Sequence, residues 1–376
     1  MSKTMLFSPT TLRSVTFDNR IVVSPMGQYS ADAEGFATDW HLMHLGHLAA
    51  SGAGLVFTEA TAVEPRGRVS GKCLGIWSDD HVEGLRNIVD FCRRHGGAKL
   101  GMQLAHSGRK GSVTVPWEKQ VGMQDGEGGW LMASPSAVAY PGRPMPEALD
   151  EAGLAQVREA FRDAAIRADA AGFDIIEIHN AHGYLLHSFL TPFANARTDS
   201  YGGSPENRMR FPLSVFEAVR AVWPERKPLG VRISATDWAE GGWTPEESVV
   251  FARELERRGC DYICASSGGS TDKQKIPVGP SYQVPFAEQI RREVGIPTMA
   301  VGLITQPQQA EDILAYGQAD FVALGRGMLY NPRWPWHAAA HFGDEVYFPP
   351  QYERSHPSMR AGDFLKPFRE RQAVGS

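Results

Sequence analysis

The 376-residue chain predicts an α/β fold, a single TIM (β/α)8 barrel with extended βα loops over its C-terminal face. Three observations lead there. Eight short apolar runs alternate with segments of helical periodicity, the pattern of buried parallel strands joined by amphipathic helices. The unusual polar residues fall at the ends of those runs, where such a barrel carries its chemistry. Glycines directly follow the last two runs, at Gly302 and Gly325. Eight βα units favour a closed barrel over an open, doubly wound sheet.

The runs occupy residues 21–24, 54–58, 99–104, 174–178, 229–233, 262–265, 297–301 and 320–324. Several of the intervening helices announce their ends. Thr244, Pro245 and Glu247 form a capping box with proline at the first helical position. That helix continues through Val250, Phe251 and Leu255 and stops at Gly259. Thr305 and Gln308 repeat the device before Ile313 and Leu314, with Gly317 as the stop. Leu154, Val157, Phe161, Ala164 and Ala168 make an apolar stripe that ends at Gly172. Two stretches exceed ordinary loops, 116–146 and 268–285. Each follows a strand, so each is expected over the barrel mouth as a lid or substrate loop. The whole chain, 1–376, reads as one domain, with a tail from 348 onward that has no clear periodicity.

Lys and Arg total 38 against 43 Asp and Glu, a formal charge of −5 with no long run of one sign. This argues against nucleic-acid and membrane-surface partners. Cys73, Cys92, Cys260 and Cys264 form no pair of CxxC units, so buried thiols are expected rather than a zinc or iron–sulfur site. The first nineteen residues lack a secretory pattern, and no apolar run spans a bilayer. A cytoplasmic protein is the expectation.

Each strand end contributes something unusual. The first gives Pro25, Met26, Gly27, Gln28 and Tyr29, and the second Glu59 and Ala60. Gln103 lies near the end of the third, followed by His106 and Arg109. The fourth ends in His179, Asn180, His182 and Tyr184, and the fifth holds Arg232. The sixth gives Ser266, Ser267, Gly268 and Gly269. Glycines after the last two strands let backbone N–H groups approach a phosphate, and Arg326 adds a fork of donors. The same glycines also suit plain tight turns. No P-loop and no strand-linked GxGxxG is present. Two imidazoles three residues apart can each donate one hydrogen bond while neutral, polarising a carbonyl or nitro oxygen. Tyr184 can then deliver a proton. A metal reading of the pair needs a third ligand such as Glu177.

The residues Ser24-Pro25-Met26 with Tyr29, Gln103, His179-x-x-His182-x-Tyr184 and the run from Asn195 through Arg197, Asp199, Tyr201-Gly202-Gly203-Ser204 to Glu206-Asn207-Arg208-x-Arg210-Phe211 resemble the Old Yellow Enzyme family. The likeness extends from about residue 6 to about 354 and is nearest the short bacterial YqjM-like and xenobiotic reductase branch. It implies a barrel holding FMN noncovalently, NADPH or NADH as reductant, and enones, maleimides or nitro compounds as small-molecule substrates. Carried over residue by residue, Pro25, Met26, Gly27 and Ala60 would contact the isoalloxazine. Gln103 would meet its pyrimidine edge and Arg232 its N1 and O2 side. Gly302, Gly325 and Arg326 would hold the phosphate. His179 and His182 would bind the substrate oxygen beside Tyr29, and Tyr184 would be the proton donor. The Asn195–Phe211 run is expected to be a structural polar network.

Two departures stand out. The branch usually has cysteine where this chain has Gly27, so a roomier pocket and a shifted flavin potential are expected. Gln351-Tyr352-x-Arg354 resembles the segment that enters a neighbouring subunit's site, which would place Arg354 at substrate in a homodimer or homotetramer. Here, however, Ser355, His356 and Pro357 replace the glycine and tryptophan that usually follow. The alternatives are another FMN barrel enzyme, of the 2-hydroxy acid oxidase type, and a flavin-binding protein without catalysis. The former needs an arginine clamp for a carboxylate, whereas a histidine pair suits a neutral carbonyl. Iron–sulfur dienoyl-CoA reductases are excluded by chain length and cysteine spacing.

Overall fold

The computed structural model describes residues 4–355. Of the tail expected from 348 onward, the part beyond Ser355, including His356 and Pro357, lies outside them. All eight apolar runs are strands: β1 (Ile21–Val23), β2 (Leu55–Ala62), β3 (Lys99–Ala105), β4 (Ile175–Asn180), β5 (Leu229–Ser234), β6 (Tyr262–Ser266), β7 (Thr298–Val301) and β8 (Phe321–Leu324). They pair in parallel and in sequence order, and β8 closes on β1, giving a closed barrel. A helix follows each: α1 (Asp39–Ala49), α2 (His81–His95), α3 (Glu151–Ala171), α4 (Pro205–Val222), α5 (Pro245–Arg257), α6 (Val284–Val294), α7 (Pro307–Ala315) and α8 (Trp334–Phe342). Among the described residues, no helix is long and apolar enough to cross a membrane.

Strand alternation divides the core in two. One apolar cluster fills the space between strands and helices, with Val56, Leu100, Ile176 and Val231 facing outward against Leu45, Val89, Phe161 and Phe216. The other fills the barrel interior, with Leu55, Phe57, Ile175, Tyr262, Met299 and Phe321. An N-terminal hairpin, Thr10–Leu12 paired with Val15–Phe17, closes the floor. Its Phe17 ring meets Phe321 edge-on at 5.5 Å. Two strand glycines make room for large rings inside. A Cβ on Gly230 would lie 2.2 Å from Tyr262, and one on Gly101 would lie 2.4 Å from Phe57. With the floor filled by apolar side chains, the polar groups of the interior face described below lie toward the C-terminal mouth.

Three sequence expectations shift locally. β2 continues to Ala62, past the expected end at 58, because the chain re-pairs with β3 beyond an irregularity between Phe57 and Ala60. The cap of α7 is Gln306, reciprocated by Gln309, one residue later than Thr305 and Gln308. Pro307 takes the first helical position and so moves the cap to the residue before it. On α5 it is Val249 that is buried, while Val250 is 45% exposed. The Thr244–Glu247 capping box and the α3 stripe ending at Gly172 form as expected.

Candidate active site

Register places the central groups. In a parallel ladder, paired residues project to the same face. Ala60 pairs with Gln103, Gln103 with Glu177, and His179 with Arg232. These side chains therefore share the interior face, with Glu177 one layer below His179. Glu177 accepts a hydrogen bond from Gln103 Nε2 at 2.7 Å. That depth sets Glu177 apart from the histidine pair. Among the described residues, no three His, Cys, Asp or Glu side chains come together as a metal site, and the four cysteines are free and buried.

Above this layer lies a cavity of about 160 Å³, lined by Pro25, Gly27, Tyr29, Glu59, Ala60, Val69, Cys73, Gln103, His179, His182, Tyr184 and Arg232. A larger hollow of about 530 Å³, between α1, Phe91, Arg333 and Tyr352, lies on the outer helical face, away from every strand end. Arg354 sits on the exposed turn Pro350–Ser355 beside that hollow and does not line the cavity of its own chain.

After β4 the backbone turns sharply. His182 and Gly183 both have positive φ, +60° and +73°. For histidine this conformation costs on the order of 1–3 kcal/mol, so the surroundings must impose it. They do so from three sides. His182 N donates to Ser234 Oγ at 2.8 Å, and Ser234 Oγ in turn donates to Gly268 O at 2.8 Å. The half-buried Lys110 Nζ donates to His182 O and to Gly269 O, each at 2.7 Å. Gly183 and Gly269 allow the two backbones to touch, since a Cβ on either would fall within 2.5 Å of the other segment. Tyr184 precedes the short helix Leu185–Leu190, its ring edge-on to His179 at 4.9 Å. The loop after β3 reaches over the cavity, with Trp117 edge-on to Tyr29 at 6.1 Å.

The electrostatics keep both imidazoles uncharged. Burial lowers both imidazoles well below their usual range, and the Arg232 cation adds to this. Both are therefore neutral donors at pH 7. Burial raises the Tyr184 phenol, with Tyr29 next in effect. Tyr29 is pushed up to about 12 by burial, Cys73 and Glu59. Lys110 falls to about 7 through burial and its neighbours Arg109 and Arg143.

Some groups are left without partners. Arg232 is only 8% exposed, yet its guanidinium makes no hydrogen bond to any described residue, Nε included. Gln103 Oε1 likewise accepts nothing there, its amide N–H being given to Glu177. Gly302, after β7, has φ +126°, and a Cβ there would meet Gln283 Nε2 at 3.0 Å. After β8, a Cβ on Gly325 would meet Met26 and Ser24 first, in ordinary contact at 3.6 to 3.9 Å. Arg326 is exposed. These three lie at neighbouring strand ends, outside the histidine cavity.

The Asn195–Phe211 run bonds within itself and to the segments packed against it. Asn195 Nδ2 donates to Phe189 O and Tyr201 O, Arg197 pairs with Asp199, and Arg208 Nη2 reaches Glu247 Oε1 at 2.7 Å. Val69 and Cys73 line the cavity without any signal in the sequence. They belong to the segment after β2, which carries no motif. Glu59 was visible only as a carboxylate at a strand end. It accepts from Gln28 N at 3.1 Å and bonds His41 Nε2 at 3.1 Å, fixing the turn after β1.

Residues 5–345 match the NADH:flavin oxidoreductase / NADH oxidase family. The NADPH dehydrogenase of Geobacillus sp. (strain WCH70) is 49% identical over 354 residues, 94% of this chain and 98% of that protein. Morphinone reductase superposes with a TM-score of 0.75 at 29% identity, covering 97% and 95% of the two chains. Its complex with tetrahydroNAD gives 0.74 at 28% identity, covering 96% and 98%. The matches span both the barrel and the site just described, and the chain belongs to the NADH:flavin oxidoreductase / NADH oxidase family, FMN enzymes of the Old Yellow Enzyme type that oxidise a nicotinamide.

Proposed function

We propose that the chain is an ene-reductase acting on α,β-unsaturated carbonyl and nitro compounds. The observation that carries this is the buried Arg232 guanidinium, its Nε without a hydrogen-bond partner, at the level of the His179 imidazole and sharing a cavity with Gln103. A buried guanidinium that attracts Glu177 through space but makes no hydrogen bond leaves its N–H groups unsatisfied, which is unfavourable. A flavin ring, with acceptors along one edge and an N–H on its pyrimidine side, fits that donor and acceptor set. Pro25, Met26, Gly27 and Ala60 would contact the ring. Gln103 and Arg232 would bind its pyrimidine edge, and Gly302, Gly325 and Arg326 its phosphate. When bound, FMN supplies the hydride, drawn from NADPH or NADH, to the β-carbon of the alkene.

The chain's own residues do the rest. His179 and His182 hold the substrate oxygen and stabilise the negative charge that gathers on it, more in the transition state than before. Tyr184, protonated throughout the working range because burial raises it, delivers a proton to the α-carbon. Tyr29 flanks the substrate. The Arg232 cation favours negative charge on the adjoining cofactor edge. Arg354, exposed on the outer face, would serve a neighbouring subunit's site in a homo-oligomer. Two neutral imidazoles without an arginine clamp argue against a 2-hydroxy acid. Under anaerobic conditions, one NADPH oxidised per cyclohexenone or maleimide reduced is the expected stoichiometry. NADPH consumption that does not depend on either compound would overturn the proposal.

A further inference from the structure

His179 Nε2 and His182 Nδ1 are 3.3 Å apart, so the two rings bond each other and one of them must accept. Which one is settled by their other nitrogens. The N–H of Ala181 points at His179 Nδ1 from 3.2 Å. His179 Nδ1 is thus an acceptor, and the ring carries its proton on Nε2. His179 then donates to His182 Nδ1, and a neutral His182 carries its own proton on Nε2.

That second nitrogen faces Ser266 Oγ at 2.8 Å. Ser266 accepts from it and gives its own hydrogen to Gln283 Oε1 at 3.3 Å. The Gln283 amide is oriented by its donation from Nε2 to Val301 O at 3.1 Å, and its Oε1 also accepts from Ser267 Oγ at 2.6 Å. In this arrangement His182 has no N–H to offer to the cavity. Two rings that both donate to one substrate oxygen require the other tautomer of His182, with its proton on Nδ1 and a bare Nε2 that must accept.

A hydroxyl is the group that can serve either state. We propose that Ser266 is a positioning residue that permits a tautomer change at His182 when the substrate oxygen arrives. In the free site Ser266 accepts from His182 Nε2. In the occupied site its O–H swings from Gln283 Oε1 to donate to His182 Nε2. Gln283 Oε1 keeps Ser267 and is not stranded. The N–H bond at Nε2 breaks and one forms at Nδ1, with a water in the cavity taking one proton and giving another, so charge is unchanged. This rests on the ene-reductase reading, in which both rings grip one oxygen.

The test is proton–nitrogen NMR of oxidised, FMN-loaded enzyme labelled with [15N]histidine, with and without cyclohexenone. Without NADPH the enone binds but is not reduced. The expected result is His182 protonated on Nε2 in the free enzyme and on Nδ1 with cyclohexenone. Ser266→Thr keeps the change. Ser266→Ala removes it and weakens cyclohexenone binding by roughly fivefold to tenfold, the loss of one hydrogen bond to a buried group. The same His182 tautomer in both states, or an unaltered change in Ser266→Ala, would overturn the role of Ser266 alone. Cyclohexenone leaving every histidine signal untouched would overturn that role together with the reading of the site.

Discussion

His179 on β4 and Arg232 on β5 are register partners, so a permanent cation and a neutral imidazole stand side by side at the barrel mouth. On the proposed reading, the pairing would tie the cofactor edge to the substrate oxygen through one rung of the ladder. It also makes protonation of His179 unfavourable, because burial and the Arg232 charge act in the same direction.

Stability should therefore fall in acid. Both imidazoles have folded pKa values well below 6.5, the value they regain on unfolding. Between those limits the unfolded chain binds more protons, so the contribution is whole above pH 6.5 and is lost as pH drops below it. The melting temperature of the holoenzyme, followed from pH 7.5 to 5, should decline less steeply in a His179→Gln, His182→Gln double variant. Identical slopes would contradict this.

Tyr184→Phe should separate the two half-reactions. Loss of a positioned proton donor typically costs about 10² to 10⁴ in rate. Stopped-flow measurements should show that loss in reoxidation by cyclohexenone, with reduction by NADPH at the wild-type rate.

Arg232→Met should act in opposite senses on the two forms. Removing a buried guanidinium that makes no hydrogen bond, and is offset through space by the Glu177 carboxyl, relieves the apoprotein, whose melting temperature should rise. FMN should bind roughly tenfold to a hundredfold more weakly, the worth of a charged hydrogen bond. Calorimetry and flavin titration read the two effects, and a fall in apoprotein stability would contradict the first.

Gly27→Cys should shift the FMN midpoint potential and disturb Tyr29. A Cβ at residue 27 would lie 3.1 Å from the Tyr29 ring, so the phenol now occupies the space that a side chain there would claim. Spectroelectrochemical titration of the variant measures the potential. An unchanged value would count against any influence of this position on the flavin.

The barrel was legible because buried parallel strands write themselves as short apolar runs, and all eight were found in place. The histidines, Gln103 and Arg232 were legible because polar residues inside apolar strands are conspicuous. Val69 and Cys73 were not, since apolar residues on an irregular segment look like any other core. The reach of β2 to Ala62 depended on re-pairing beyond a register shift, a tertiary event without a local signature. The cap at Gln306 was missed because threonine is the commoner cap, whereas Pro307 decides the start. The hydrogen-bonded chain from His182 through Ser266 to Gln283 joins residues far apart in sequence, and only the folded barrel brings them together.

The most direct measurement is the visible spectrum of the purified protein, reconstituted with FMN and kept free of oxygen. Flavin absorbance that NADPH bleaches and cyclohexenone restores is the expected result. A protein that retains no flavin, or a bleached enzyme that oxygen recolours and cyclohexenone does not, would contradict the ene-reductase reading.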